Sequence, residues 1–216
     1  MQEQAIVAGV STLRQRERIA AFAMYATMAA SVLAAGGELL ELQGAIDLVY
    51  APEEPLALIY SAILLVSLVV YIGSIIAVGM WIHRAHANLH AAGIEGLQFS
   101  PGWAIGWYFV PIALLFKPFQ AMRELWNQSH QTADSFSAPA PGTLSAWWGL
   151  WIVSNILANV SFRMSFVGEG SNLEMALVLS LASNLCTVPA AWLLMQIMRA
   201  ITAAQADGIA ARQIFE

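Results

Sequence analysis

Four long apolar runs are the feature of this sequence that most restricts its fold. They occupy residues 19–37, 56–82, 144–162 and 173–198. Each is near or above the roughly 20 residues that an α-helix needs to cross about 30 Å of hydrocarbon. A fifth run, 103–116, is shorter and contains Pro111. The chain is therefore predicted to be all-α, a polytopic membrane helix bundle with four transmembrane helices.

The basic residues select between two topologies. If 103–116 enters and leaves the membrane on one side, eight of the nine Lys and Arg residues share the cytoplasmic face: Arg14, Arg16, Arg18, Arg84, Lys117, Arg123, Arg199 and Arg212. Only Arg163 then lies outside. If 103–116 crosses fully, the split becomes five against four. The positive-inside rule favours four spans, a re-entrant or interfacial fold-back and two cytoplasmic termini, with five spans as the alternative.

The composition excludes some classes of protein. Charged residues make up 11% of the chain, against about 25% in soluble proteins, so membrane lipids are the expected surroundings. The net charge of −5 comes without a basic stripe, and no nucleic-acid partner is expected. Cys186 has no second cysteine with which to form an internal disulfide. The run 19–37 exceeds the apolar core of a signal peptide, so it is interpreted as a retained signal anchor.

The expected domain order has three parts. Residues 1–18 form a cytoplasmic lead, 19–199 a single transmembrane helical domain, and 200–216 a cytoplasmic tail that is either amphipathic or disordered. Inside the domain, a fold-back segment (93–130) and a flexible linker (131–143) separate the second crossing from the third.

The first crossing is expected to end near Gly36 and Gly37, which places Glu38 in an acidic outer loop. Its small residues recur at helical spacing and would let another helix approach closely: Ala23, Ala26, Ala30 and Ala34. On this interpretation no charged residue lies in mid-span. Ion-coupled carriers and proton pumps usually need such residues, so the prediction disfavours them.

One segment, 81–129, has a characteristic order of residues. It contains Trp81, Arg84, Asn88, the sequence SPGW at 100–103, Trp107, Pro111, KPF at 117–119 and MRELW at 122–126. In this order and spacing the segment resembles an uncharacterised family of bacterial membrane proteins, the domain of unknown function 4328. The resemblance covers about a quarter of the chain, and Leu114 stands where the family often has Asn. It implies a multi-pass bacterial membrane protein and no particular activity. Together with the apolar helical crossings, this predicts the bacterial inner membrane.

The same segment has a physical interpretation of its own. Ser100 followed by Pro101 is a favourable helix start, because Ser can cap the helix and Pro fits its first position. Pro111 removes an amide donor and should break the helix. From Pro118 the spacing is amphipathic, with one apolar face: Phe119, Met122, Leu125 and Trp126. Such a helix suits the cytoplasmic membrane interface.

Arg84 lies on one face of the second apolar helix, between Trp81 and Asn88. It could form a salt bridge to Glu124 or Glu95 that locks the fold-back onto this helix. Contact with lipid headgroups and binding of a substrate are the alternatives. The candidate structural or ligand-contacting residues are Trp81, Arg84, Asn88, Ser100, Trp103, Trp107, Glu124 and Trp126.

A second face of this helix carries His83, His86 and His90, at positions i, i+3 and i+7. Imidazoles on one face could share a metal ion, and one could be an axial haem ligand. The alternative is a row of solvated interfacial histidines.

Asn155, Asn159 and Asn184 are the candidate polar contacts between the last two apolar helices. Asn155 and Asn184 are expected at similar depth, where an interhelical hydrogen bond would stabilise packing by roughly 0.6–2 kcal/mol.

These features predict a non-catalytic protein: a structural, assembly or interaction subunit, in a homo-oligomer or a larger membrane complex. The sequence contains no P-loop, GxSxG elbow or triad. One alternative is a redox membrane protein with haem, a metal or a quinone at the histidine face. Another is lipid or small-molecule binding beneath the fold-back, near Arg84.

Overall fold

A computed structural model of the chain describes residues 2–130, 139–167 and 172–215. Within these ranges the chain forms α-helices and no strand. The α-helices are α1 (Gln2–Leu42), α2 (Pro55–Ala91), α3 (Pro101–Gly106), α4 (Lys117–Ser129), α5 (Gly142–Val167) and α6 (Leu173–Phe215). Residues 131–138, in the predicted linker, and 168–171, in the predicted second outer loop, lie outside the described residues. The all-α prediction is confirmed.

Within the described ranges, three helices are long and apolar enough to cross a membrane: Val7–Leu42, Pro55–Ala91 and Leu173–Gly208. The fourth predicted crossing corresponds to α5, which has 26 residues and is not among these three. Its tryptophans and its polar Asn155 and Asn159 lower its hydropathy. Four spans therefore stay a prediction.

The chain divides into two compact units. The first unit combines Met1–Phe22, Ile75–Ser145 and Leu193–Glu216, and the second combines Ala23–Ser74 and Ala146–Trp192. Each unit is thus built from segments that are distant in sequence.

The fold-back lies in the first unit and begins where sequence predicts. Helix α2 ends at Ala91, and Gly93 follows with a φ of 71°, a left-handed conformation that favours glycine. Ser100 caps α3 by accepting a hydrogen bond from the Trp103 amide, with Pro101 at the helix start. Both expectations for this start are confirmed.

Pro111 interrupts the helical structure, as predicted. Helix α3 ends at Gly106, five residues earlier, and short 3-10 helices at Trp107–Phe109 and Ala113–Leu115 flank the proline. Ile112 has a φ of 66°, which is strained for a β-branched residue. No helix between Ser100 and Phe116 approaches the roughly 20 residues of a membrane span.

The core of the first unit draws on several helices. Its fully buried side chains include Leu13 of α1, Trp81 of α2, Leu125 of α4, and Met198 and Ile201 of α6. Helix α6 continues to Phe215, so the segment from Ala200 is helical. Over its described side chains it is amphipathic, with one face buried, which agrees with one of the two expectations for this tail.

In the second unit, α1 continues through Gly36 and Gly37 and ends at Leu42. The prediction that the first helix ends at these glycines is wrong. A Cβ added at Gly37 would overlap the ring of Tyr60, so this glycine provides room for a side chain of α2. Tyr60 joins Ile46 and Ala57 in a small apolar cluster.

Candidate functional site

A buried polar network in the first unit connects α2 to the last turns of α6. The indole N–H of Trp81 donates to Thr202 Oγ1 at 3.1 Å, and Trp81 is 0% exposed. Asn88 Nδ2 donates to Gln205 Oε1 at 3.0 Å. Gln205 Nε2 in turn donates to the Ala85 carbonyl and to Ser129 Oγ, both at 3.1 Å. Gln205 therefore connects α6 with α2 and α4.

The same face of α2 also binds α1. Arg84 Nε donates to the Gly9 carbonyl at 3.2 Å, and Asn88 Nδ2 lies 3.5 Å from that oxygen. A Cβ at Gly9 would overlap the Arg84 guanidinium and Asn88 Oδ1. Arg16 Nη1 makes a similar contact, donating to the Met80 carbonyl at 2.8 Å. Glycine at position 9 thus permits α1 to approach the polar face of α2.

Glu124 holds the entry to α3 rather than pairing with an arginine. Its two carboxylate oxygens accept from the backbone amides of Gln98 and Phe99 at 2.7 and 3.2 Å. The described residues do not show the predicted salt bridge from Arg84 to Glu124 or Glu95: the salt bridge found there joins Arg199 to Glu17, while Arg84 Nε donates to the Gly9 carbonyl. Burial raises the pKa of Glu124, although the two amides and the nearby His90 oppose this shift.

Aromatic rings and one cation hold the fold-back together. Trp103 and Trp107 lie with ring centroids 4.9 Å apart, and Lys117 Nζ lies 5.7 Å from the ring centroids of Phe99 and Trp107. At the end of α4, Trp126 stacks on His130 at 4.2 Å. The outward side of the fold-back is apolar: Trp103, Phe109, Ile112, Leu115 and Phe116 are exposed.

The three histidines of α2 have different surroundings. His83 and His90 are exposed, and His90 Nε2 lies 3.1 Å from the Phe99 carbonyl oxygen. His86 is 0% exposed, and both of its ring nitrogens lack a hydrogen-bond partner among the described residues. Across the described part of the chain, no three His, Cys, Asp or Glu side chains are grouped so that they could hold a metal ion.

In the second unit, the asparagines bond differently from the prediction. Asn155 Nδ2 donates to the Trp151 carbonyl within α5 at 2.8 Å, and Asn159 Nδ2 to the Asn155 carbonyl at 3.1 Å. The predicted Asn155–Asn184 bond is therefore wrong. Asn184 bonds to Glu38 instead, while Ser183 Oγ joins α6 to α5 by donating to the Ser154 carbonyl at 2.9 Å.

Glu38 is a buried carboxylate, although the sequence predicts an outer-loop position for it. It is 3% exposed, and its Oε1 accepts hydrogen bonds from Ser180 Oγ and Asn184 Nδ2. Glu38 lies inside α1, close to its end at Leu42, so the prediction that places it in an outer loop is wrong. A helical pattern continued through the two preceding glycines could have revealed it.

Thr202 and Gln205 were also missed, because they lie in the segment interpreted as a tail. Their signal is spacing: they follow the buried Met198 and Ile201 on one stripe of α6.

Comparison with known proteins identifies a family over most of this architecture. A family model described as Domain of unknown function (DUF4328) matches residues 56–203. The match runs from α2 into α6 and includes Trp81, Arg84, Glu124 and Thr202, but not Gly9 or Gln205. No curated protein and no solved structure matches the chain.

Proposed function

This chain belongs to the DUF4328 family of domains of unknown function, and from that premise we propose that it is a non-catalytic structural or assembly subunit of the bacterial inner membrane. The proposal includes four crossings, a cytoplasmic fold-back and both termini in the cytoplasm. The chain would act in a homo-oligomer or a larger membrane complex.

One observation carries this proposal: the polar side chains around Arg84 are used to join parts of the protein to one another. The Arg84 Nε, Asn88 and the Trp81 indole each donate to a group within the first unit, and Glu124 fixes the fold-back. Hydrogen bonds of this kind fix the positions of helices relative to one another within the unit.

The exposed surface of α2 supports an interaction role. In the most apolar stretch of this helix only 11% of the residues are buried, and large side chains such as Leu65 and Val69 are exposed. Lipid or another apolar helix can cover such a surface, and van der Waals packing between helices stabilises contacts within the bilayer.

Site-specific photo-crosslinking in native membranes tests the interaction role. A photoreactive residue at Val69 should give one defined protein adduct, either with a second, differently tagged copy or with another membrane protein. The control position is Tyr50, which is 88% exposed and lies in the predicted outer loop, where no defined adduct is expected. The proposal would be refuted if Val69 formed only lipid adducts and the purified protein were a monomer that turns over a substrate.

Cysteine labelling tests the topology separately. In a Cys186→Ser background, a membrane-impermeant maleimide added outside the cell should label Tyr50→Cys but not Lys117→Cys. Labelling of Lys117→Cys from outside would place the fold-back on the outer side of the membrane and contradict the proposed topology.

A second candidate function is haem, metal or quinone binding on the histidine face of α2. The specific observation is His86, a buried imidazole whose two ring nitrogens have no partner among the described residues. A Soret band or stoichiometric metal that is lost in His86→Ala and kept in His83→Ala would support this function. Purified protein with neither signal would remove the haem and metal forms of it.

Lipid or small-molecule binding near Arg84 stays a third prediction. Arg84 is half-buried with its Nε bonded to Gly9, so its remaining guanidinium nitrogens would have to supply the contact. Bound lipid that persists after Arg84→Ala would count against it.

A further inference from the structure

Glu38 combines a satisfied and an unsatisfied carboxylate oxygen. Oε1 accepts hydrogen bonds from the Ser180 hydroxyl and from Asn184 Nδ2, the latter at 3.0 Å. Oε2 is buried and has no hydrogen-bond partner among the described residues. Buried polar atoms are nearly always paired, so an orphaned carboxylate oxygen calls for an occupant.

The surface of the second unit at this level is apolar. Leu39 and Leu40, next to Glu38 on α1, are exposed. So are Leu58 and Ile59 beside Tyr60 on α2, and Leu185 beside Asn184 on α6. Exposed leucine and isoleucine on three helices fit contact with lipid, so hydrocarbon is the expected surroundings of this part of the second unit. An ionisable residue in such a position is costly and by default points to a function.

We propose that Glu38 is a reversible proton-binding site in the membrane-embedded part of the second unit, with Oε2 as the atom that takes the proton. The reaction is proton transfer alone: Oε2 gains H⁺ from water and returns it, and the carboxylate changes between charge −1 and 0.

The geometry favours a proton over a larger cation. Two donors already point at Oε1, so a metal ion would have to find its other oxygens elsewhere. The described residues hold no cluster of three carboxylates or imidazoles that could supply them. A proton needs one lone pair, which Oε2 offers.

Neighbouring groups favour uptake of the proton. Glu41 on α1 interacts electrostatically with Glu38 and with Asp47, whereas the hydroxyl of Tyr60 on α2, which neighbours both glutamates, is uncharged at neutral pH. The two bonded groups on α6, Ser180 and Asn184, carry no charge. Burial disfavours the ionised form of Glu38, and the Glu41 carboxylate adds a like charge nearby, whereas the two hydrogen bonds to Oε1 favour the ionised form.

Labelling with dicyclohexylcarbodiimide tests the site directly. This apolar reagent reacts with protonated carboxyl groups that it reaches from lipid, and the adduct is located by peptide mass spectrometry. In full-length protein in liposomes, Glu38 should be labelled at neutral pH. Its rate of labelling should fall about tenfold per pH unit above a midpoint, as for a single titrating proton. A water-soluble carbodiimide should label the loop residues Glu53 and Glu54 instead.

Matched variants shift the midpoint in opposite directions. Glu41→Gln removes a like charge and should lower it by roughly half a unit, whereas Ser180→Ala removes a donor to the carboxylate and should raise it by about one unit. Glu38→Gln should abolish the label at residue 38. Size-exclusion profiles identical to wild type would show that each variant is folded.

Three results would overturn the proposal. The first is labelling of Glu38 that does not depend on pH, and the second is no labelling at any pH while the protein is folded. The third is protection by Na⁺ at constant pH, which would assign the site to a metal cation. Infrared difference spectra give an independent readout: a carboxylic acid C=O band that disappears on raising the pH should be present in wild type and absent in Glu38→Gln.

Discussion

Replacing Gln205 by Leu should destabilise the protein more than any other single change in the polar network. Gln205 is 7% exposed and makes hydrogen bonds with Asn88, Ala85 and Ser129. Leucine fills a similar volume but leaves two buried side chains, Asn88 and Ser129, with lost partners. Each unsatisfied buried group costs about 1–3 kcal/mol. Because Asn88 keeps its contact with Gly9, we expect a total of about 3 kcal/mol.

The assay is thermal unfolding in detergent, followed by size-exclusion chromatography of the remaining folded protein. For a chain of this length, about 3 kcal/mol corresponds to a loss of roughly 6–12 °C in Tm. The matched control is Gln98→Leu, the same replacement at an exposed position of the first unit, which should change stability by less than about 0.5 kcal/mol.

A double mutant tests the hydrogen bond between Asn88 and Gln205 directly. Asn88→Leu combined with Gln205→Leu removes both partners of one bond, so its effect should be smaller than the sum of the two single effects, by about 0.5–3 kcal/mol. Two results would show that the network does not stabilise the helix packing. One is an equal melting temperature for Gln205→Leu and the Gln98→Leu control. The other is a stability loss in the double mutant equal to the sum of the two single losses.

Three further predictions use the same melting assay. Gly9→Ala should destabilise the protein by about 1–3 kcal/mol because its Cβ would overlap side chains of α2. The control Gly36→Ala, whose Cβ would have nothing within 4 Å, should be neutral or stabilise by up to about 1 kcal/mol. Equal melting temperatures of the two variants would refute the close approach of α1 to α2. Trp81→Phe should cost about 1 kcal/mol by removing the indole donor to Thr202, and an unchanged melt would contradict that. Burial raises the pKa of Glu124 above its ordinary 4.5, so the native state binds more protons than the unfolded state as pH rises from 4.5. Wild type should therefore lose stability relative to Glu124→Gln over that interval and then level off; a gain of wild-type stability relative to Glu124→Gln as pH rises would contradict the shift.

Local signals were predicted well from the sequence. The end of α2 near Gly93, the cap at Ser100 and the break at Pro111 depend on backbone geometry within a few residues, which Gly, Ser and Pro determine directly. The amphipathic helix after Pro118 forms as predicted, but its apolar residues Met122 and Leu125 are buried within the protein and do not provide a face for the membrane interface.

Long-range partners could not be predicted in the same way. Arg84 was expected to seek a carboxylate, but a main-chain carbonyl satisfies its Nε because Gly9 lets α1 approach. Two adjacent glycines at 36 and 37 suggested a helix end, yet the second accommodates Tyr60. Which helix faces which is set by tertiary packing, and a single sequence does not contain that information in local form.

The division of the first unit among three separated segments has a consequence for biogenesis. Residues 1–22 leave the ribosome long before their partners at 193–216. At about 5–20 residues per second, the roughly 170 residues between them take about 10–30 s to synthesise. During that interval Gly9 and Arg84 can meet, but Gln205 does not yet exist. Completion of this unit must therefore wait for residues 193–216, which supply the Gln205 partner of Asn88.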